Sequence, residues 1–374
     1  MIRAWIAIGL ILTCARAERL PRNPCPAPLW KIDLLSKFHL DAVVRSRHSG
    51  NLWASRWQTR RGIVFTSPDT LAVYHVDQNS ERSKLSTRDD SGGAGGFILR
   101  AVFLDARNAT SVREMTWTTS ASDDSQVYPT HDGRFLVRTG RMLRLYSPEF
   151  QEIVSRQLPS HPENQTDTWL VSIVPPGKLI FVRHQWSNGV KGPSGEEKDL
   201  VDSDTLTSIR NLSSADVALW PEADLAVPEL TGHSVPSLTF EKQVEQSKHF
   251  HDCVAKAFVG VPQREVDYRA CKQLDLLTAD GRQYWHLEFR NEVPLREISG
   301  NTLVINLVRF PADPFDLGRP PEPLQIAIYG LAERREKCSI DLTKMGSNET
   351  YDFAVSSNGQ VAVRLGNQLN LFKP

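Results

Sequence analysis

Apolar residues along this chain gather in short runs, each broken by a turn of Pro, Asp, Gly, Asn or Ser, and one arrangement returns. The copies read GIVFTSPDTLAVYHV from Gly62, SQVYPTHDGRFLVRT from Ser125 and VSIVPPGKLIFVRH from Val171. They continue as DVALWPEADLAVPEL from Asp216, LREISGNTLVINLV from Leu295 and DFAVSSNGQVAVRL from Asp352, with a degenerate copy, KAFVGVPQREVDYRA, from Lys256. Turn residues between β-rich runs set a tight reversal, so each copy predicts a hairpin. Most copies are followed by a second hairpin of alternating apolar and polar residues, such as Met142–Tyr146 into Glu152–Val154. Leu274–Leu277 into Tyr284–Phe289 and Leu324–Tyr329 into Lys337–Leu342 are two more. Each repeat is therefore a four-stranded antiparallel unit, with strands a to d in chain order.

From the turn at Ser67 to that at Ser356 the average step is about 48 residues, within the ~40–50 of propeller blades. This predicts an all-β protein, a β-propeller of four-stranded antiparallel blades, with seven blades favoured and six the alternative. The last repeat stops after Gln368–Phe372, one strand short. Leu29–Leu34 resembles the outer strands at 338–342 and 285–289 and is read as the missing strand, a clasp that ties the first residues to the last and closes the ring. In strand pattern, Leu29 to Phe372 resembles the secreted WD40-like and YVTN-like β-propeller repeat proteins of bacteria. Phe240, Val244, Ser247, His251, Val254 and Phe258 also fall at helical spacing, so 239–258 reads equally as an inserted helix or as strand.

The first residues change the picture of where the protein acts. Arg3, the apolar stretch Ala4–Thr13 and the small residues Ala15 and Ala17 have the three-part form of a secretory signal peptide, with cleavage before Glu18. The domain reading is a signal peptide at 1–17 and a single propeller domain at 18–374. The expected location is secreted or periplasmic, with lipid anchoring at Cys14 a weaker alternative. Without Cys14, four cysteines remain, Cys25, Cys253, Cys271 and Cys338, and an oxidising compartment favours pairing them. Three connectivities are open, among them Cys253–Cys271 and Cys25–Cys338. Sequons occur at Asn108, Asn164, Asn211 and Asn348 and matter only where the host glycosylates.

Composition narrows the function classes. The 374 residues carry 44 basic and 44 acidic side chains, and this balance argues against a nucleic-acid binder or a polybasic membrane-surface protein. No apolar run is long enough to span a bilayer as a helix. Candidate insertions lie at Asp77–Gly96, Trp186–Asp199, Phe310–Pro323 and Ser36–Arg61. All four map to the face carrying the b–c and d–a connections, where long loops on a rigid scaffold form binding sites.

Candidate chemistry is sparse. His249, His251 and Cys253 share one face of a strand, the beginning of a metal set that lacks further ligands. Asp89–Asp90 with its glycines lacks EF-hand spacing and a P-loop lysine. Asp313 and Asp316 have the composition of a glycosidase carboxylate pair, and Trp53, Trp57 and their arginines that of a sugar or peptide patch. No GxSxG nucleophile motif occurs. Trp186, beside Arg183 and His184, is the leading exposed aromatic contact. The candidate binding residues are thus Arg183, His184, Trp186, Asp313 and Asp316, with no metal and no cofactor expected. The favoured function is non-catalytic binding of a protein, peptide or glycan by a monomeric chain through the looped face. A hydrolase or lyase at the central channel and a structural envelope protein are the alternatives.

Overall fold

The computed structural model describes residues 23–40, 61–78, 97–119, 125–159, 166–174, 178–187, 194–211, 253–259, 263–266, 271–278, 280–293, 295–309, 322–345 and 351–374. Their strands form six sheets that follow one another along the chain. Sheet one is β2 (Arg61–Ser67), β3 (Thr70–Gln78), β4 (Phe97–Asp105) and β5 (Ser111–Thr119). Sheet two is β6 (Ser125–Pro129), β7 (Phe135–Thr139), β8 (Met142–Tyr146) and β9 (Glu152–Gln157). Sheet three is β10 (Thr166–Val174), β11 (Leu179–Ser187), β12 (Ser194–Asp202) and β13 (Ser208–Asn211). Sheet six joins β22 (Tyr351–Val355), β23 (Val361–Leu365) and β24 (Gln368–Phe372) to the N-terminal β1 (Trp30–Asp33).

Inner strands meet their counterparts in neighbouring sheets, β2 with both β6 and β22, and β22 with β18 (Leu295–Ser299) of sheet five. The architecture is a β-propeller with six sheets among the described residues, the alternative count rather than the favoured seven. The copy at Asp216, one of the seven, lies outside the described residues. Packing explains the sequence pattern. Strand b is covered by neighbours on both faces, so β7 is buried along its whole length, whereas the outer strands β5 and β9 are largely exposed. Apolar clusters fill the junctions: Phe103 and Phe135 between sheets one and two, Leu145 and Val182 between two and three, and Leu276 and Leu303 between four and five.

Sheets four and five depart from the repeat. Among the described residues sheet four holds β14 (Val254–Phe258), β16 (Gln273–Leu277) and β17 (Gln283–Glu288), with β14 parallel to β16. The strand expected between them, β15 (Gln263–Val266), instead joins the inner edge of sheet five, antiparallel to β18. Sheet five continues through β19 (Thr302–Arg309), β20 (Glu322–Gly330) and β21 (Arg335–Asp341). The degenerate copy at Lys256 is therefore not a hairpin. Every other strand b is mostly apolar, and Gln-Arg-Glu-Val cannot take a position buried on both faces without stranding two charges. Val254 and Phe258, read at helical spacing, stand in a strand; residues 239–252 lie outside the described residues.

The N-terminal clasp is present and extends further than one strand. Trp30–Asp33 pairs antiparallel with Gln368–Leu371 and completes sheet six. Before it, the Cys25 amide donates to the Ser339 carbonyl (3.1 Å) and the Ser339 amide donates to the Asn23 carbonyl (2.8 Å), along the outer edge of sheet five. Disulfides join Cys25 to Cys338 and Cys253 to Cys271. After β1, the short helix α1 (Leu34–Phe38) is capped by Asp33, which accepts from the Ser36 amide at 2.7 Å. Trp30 Nε1 and Lys37 Nζ donate to the carbonyls of Ala106 (2.7 Å) and Ala109 (2.9 Å) in sheet one. One stretch of chain thus binds sheets five, six and one.

The b–c hairpins alternate in height. Strands β3 and β4 of sheet one and β11 and β12 of sheet three have nine residues each, and β19 and β20 of sheet five have eight and nine. The matching strands of sheets two and six have five. Ends at the a–b and c–d turns are aligned, because Thr70 faces Asp105 as Phe135 faces Tyr146 and Leu179 faces Asp202. The extra residues all extend toward the b–c face, where sheets one, three and five rise above sheets two and six by about 10–13 Å at ~3.3 Å per residue. Sheets two and six turn back at once on Gly140 and Gly366, whose φ of 60° and 57° suits the first position of a two-residue reversal. Most of Trp186–Asp199, expected as a loop, is paired strand; only 188–193 connect β11 to β12.

Candidate functional site

The chemistry-bearing side chains of the described residues gather in three places. The first lies where sheets five, six and one meet. Arg264 on β15 stands opposite Glu297 on β18, and its Nη1 donates to Glu297 Oε2 at 3.0 Å. It also donates to Asp352 and to the Phe353 carbonyl on β22, with its guanidinium 5.8 Å from the Phe353 ring. Both carboxylates close inner-edge amides of the next sheet: Glu297 Oε1 accepts from Val355 N at 2.9 Å, and Asp352 Oδ2 from Ile63 N at 3.1 Å. Two acids therefore share one arginine. Burial pushes the Glu297 carboxyl up to about 7, against the pull of Arg264 and the Val355 amide. Burial also raises the Tyr74 phenol, with Asp352 adding to it. Burial pulls Arg264 down, but Asp352 and Glu297 outweigh it and leave the guanidinium raised and charged.

The second place joins sheets two and three. Ser203 Oγ lies 3.2 Å from His131 Nδ1, His131 Nε2 lies 3.0 Å from Asp204 Oδ1, and Arg134 Nη1 donates to the same oxygen at 2.6 Å. Hydroxyl, imidazole and carboxylate stand in the order of a hydrolytic triad. Ser203 is 0% exposed, so its hydroxyl meets no substrate. The set instead ties the a–b turn of one sheet to the c–d turn of the next.

The third place is the tall hairpin of sheet three, which holds three of the expected binding residues. His184 is 1% exposed and stacks on Trp169, its cross-strand partner, with ring centroids 3.7 Å apart and planes at 3°. Trp186 is half-buried; its ring lies against Gly195 directly across the ladder, where any Cβ would collide with it. Arg183 pairs with Glu196, to which Lys198 Nζ also reaches at 3.3 Å. These residues brace the hairpin instead of facing solvent from its tip. Asp313 and Asp316, together with His249, His251, Asp89, Asp90, Trp53 and Trp57, lie outside the described residues. Cys253 is committed to its disulfide, which removes the thiolate from the HxHxC set. Among the described residues no group of three or more His, Cys, Asp or Glu is arranged to hold a metal, and no helix is long and apolar enough to cross a membrane.

Arg264, Glu297, Asp352 and Tyr74 were not singled out from the sequence. Their signal is ionisable residues inside otherwise apolar inner strands, as in Leu-Arg-Glu-Ile and Asp-Phe-Ala-Val. A second overlooked signature is Arg-x-Gly at the short turns: Arg138 Nε donates to the Gly140 carbonyl (3.0 Å) and Arg364 Nε to that of Gly366 (3.1 Å).

No protein-family model matches the chain, and no curated protein matches it. Among solved structures it is similar to the Pan2 WD40 domain of Neurospora crassa, at 9% identity and a TM-score of 0.28, over 90% of this chain and 81% of that one. It is similar also to the WD40 domain of SCAP from fission yeast (10%, TM-score 0.26, 81% and 79%). Dihydro-heme d1 dehydrogenase NirN is a third such structure (10%, TM-score 0.29, 95% and 82%). Likeness at this level transfers no function, and the propeller architecture stands on the strand order of the chain itself.

Proposed function

We propose that this chain is an exported, non-catalytic β-propeller that holds a protein, peptide or glycan on its b–c face. The observation that carries this reading is the alternation of tall and short b–c hairpins. Sheets one, three and five rise about 10–13 Å above sheets two and six, which makes recesses walled by paired strands. Recessed surfaces on a rigid scaffold suit recognition of a partner. The two disulfides support an oxidising compartment, and with the N-terminal pattern they support export.

A hydrolase or lyase at the central channel draws on Glu297, whose raised carboxyl suits a general acid or base. The carboxylate's engagement with Val355 and Arg264 supports ring closure instead. The binding reading is tested by placing a photo-cross-linking residue at Glu197, exposed near the tip of the sheet-three hairpin, or at Glu149, exposed on the opposite face. Discrete adducts in an extract of the native compartment are expected from position 197 and not from 149. Adducts from 149 alone, or from neither position, overturn the proposal.

A further inference from the structure

We propose that Glu297, Arg264 and Asp352 form a pH-responsive lock between the ends of the ring, tighter in mildly acidic than in neutral or alkaline medium. The geometry is a cluster of two carboxylates and one guanidinium at the junction of three sheets. Glu297 links sheet five to sheet six through Val355, and Asp352 links sheet six to sheet one through Ile63. The groups facing Glu297 are Arg264 from β15, Asp352 from β22 and the Tyr74 phenol from β3; its partner on β19 is the apolar Val304. With both acids ionised, one guanidinium balances the negative charges of two buried carboxylates. With Glu297 protonated, Arg264 and Asp352 balance one to one, and the uncharged carboxyl still accepts from Val355.

The sign follows from the raised carboxyl. A folded-state value of about 7 against an ordinary 4.5 means that the folded chain holds a proton which the unfolded chain has released. Stability from this group is fully present below about 4.5 and is lost as pH rises through about 7. For a chain of this length the loss lowers the melting temperature by about 3 °C between pH 5 and pH 8.

The test is thermal unfolding of the mature chain from pH 5 to pH 8, for the parent and for Glu297→Gln. The parent is expected to lose about 3 °C more than the variant over this range, since glutamine keeps an acceptor for Val355 but does not titrate. Equal slopes overturn the proposal. Should Glu297→Gln fail to fold, hydrogen exchange on the parent decides. Protection of the 351–358 peptide, corrected for intrinsic rates, is expected to fall between pH 5 and pH 8 while that of 135–146 holds. Unchanged protection at 351–358 overturns the lock.

Discussion

The two disulfides close loops of very different size, and this difference gives a sharp test of the clasp. Cys25 and Cys338 are 313 residues apart, whereas Cys253 and Cys271 are 18 apart. Cross-linking restricts the unfolded chain in proportion to the logarithm of loop length. The chain-entropy relation assigns about 6 kcal/mol to the long loop and about 3 kcal/mol to the short one at 25 °C. At the unfolding entropy of a chain this size, these correspond to losses of about 8 °C and about 4 °C in melting temperature. The perturbation is a pair of double variants, Cys25→Ala with Cys338→Ala and Cys253→Ala with Cys271→Ala. Each removes two sulfur atoms from well-packed surroundings, so the packing cost largely cancels in the comparison. Urea unfolding followed by far-ultraviolet circular dichroism measures both. The expected order is a clearly larger loss for the 25/338 pair. Equal losses, or the larger loss in the 253/271 pair, would refute the reasoning that Cys25–Cys338 spans the ring.

Two further substitutions probe packing at named contacts. Gly195→Val drives a branched side chain into the Trp186 ring, at an expected cost of about 1–3 kcal/mol, with increased hydrogen exchange confined to the 179–202 hairpin. Phe353→Ala empties a site that is 0% exposed and lies under Arg264; urea unfolding is expected to show a loss of about 3–5 kcal/mol.

Where local chemistry and tertiary position agree, the fold is readable from the chain. The a–b hairpins at Ser67, Asp132, Gly300 and Asn358 follow from turn residues set between apolar runs, and each lies where the repeat places it. The clasp is legible because Trp-Lys-Ile-Asp carries the half-polar alternation of an outer strand. The tall hairpin of sheet three is not, because Gly-Glu-Glu-Lys-Asp exposes polar residues on both faces and so reads as loop. Sheet membership of β15 escapes for a related reason. A polar strand is identified by what it is excluded from, and the inner edge it joins is brought near only by the closed ring. The surroundings of the site residues are less legible: Trp186, beside Arg183 and His184, reads as an exposed aromatic until the ladder sets its ring against Gly195. Glu297 and Asp352 look like interruptions of core strands until the ring brings the next sheet's amides to them.

The ring that presents the b–c face and holds the Glu297 junction is closed by the N-terminal segment against sheets five and six. Peptide mapping of the non-reduced chain tests this closure most directly, since Cys25, Cys253, Cys271 and Cys338 allow three pairings. The account predicts a cross-linked peptide joining Cys25 to Cys338 and another joining Cys253 to Cys271. Cys25 found free, or joined to Cys253 or Cys271, would contradict it.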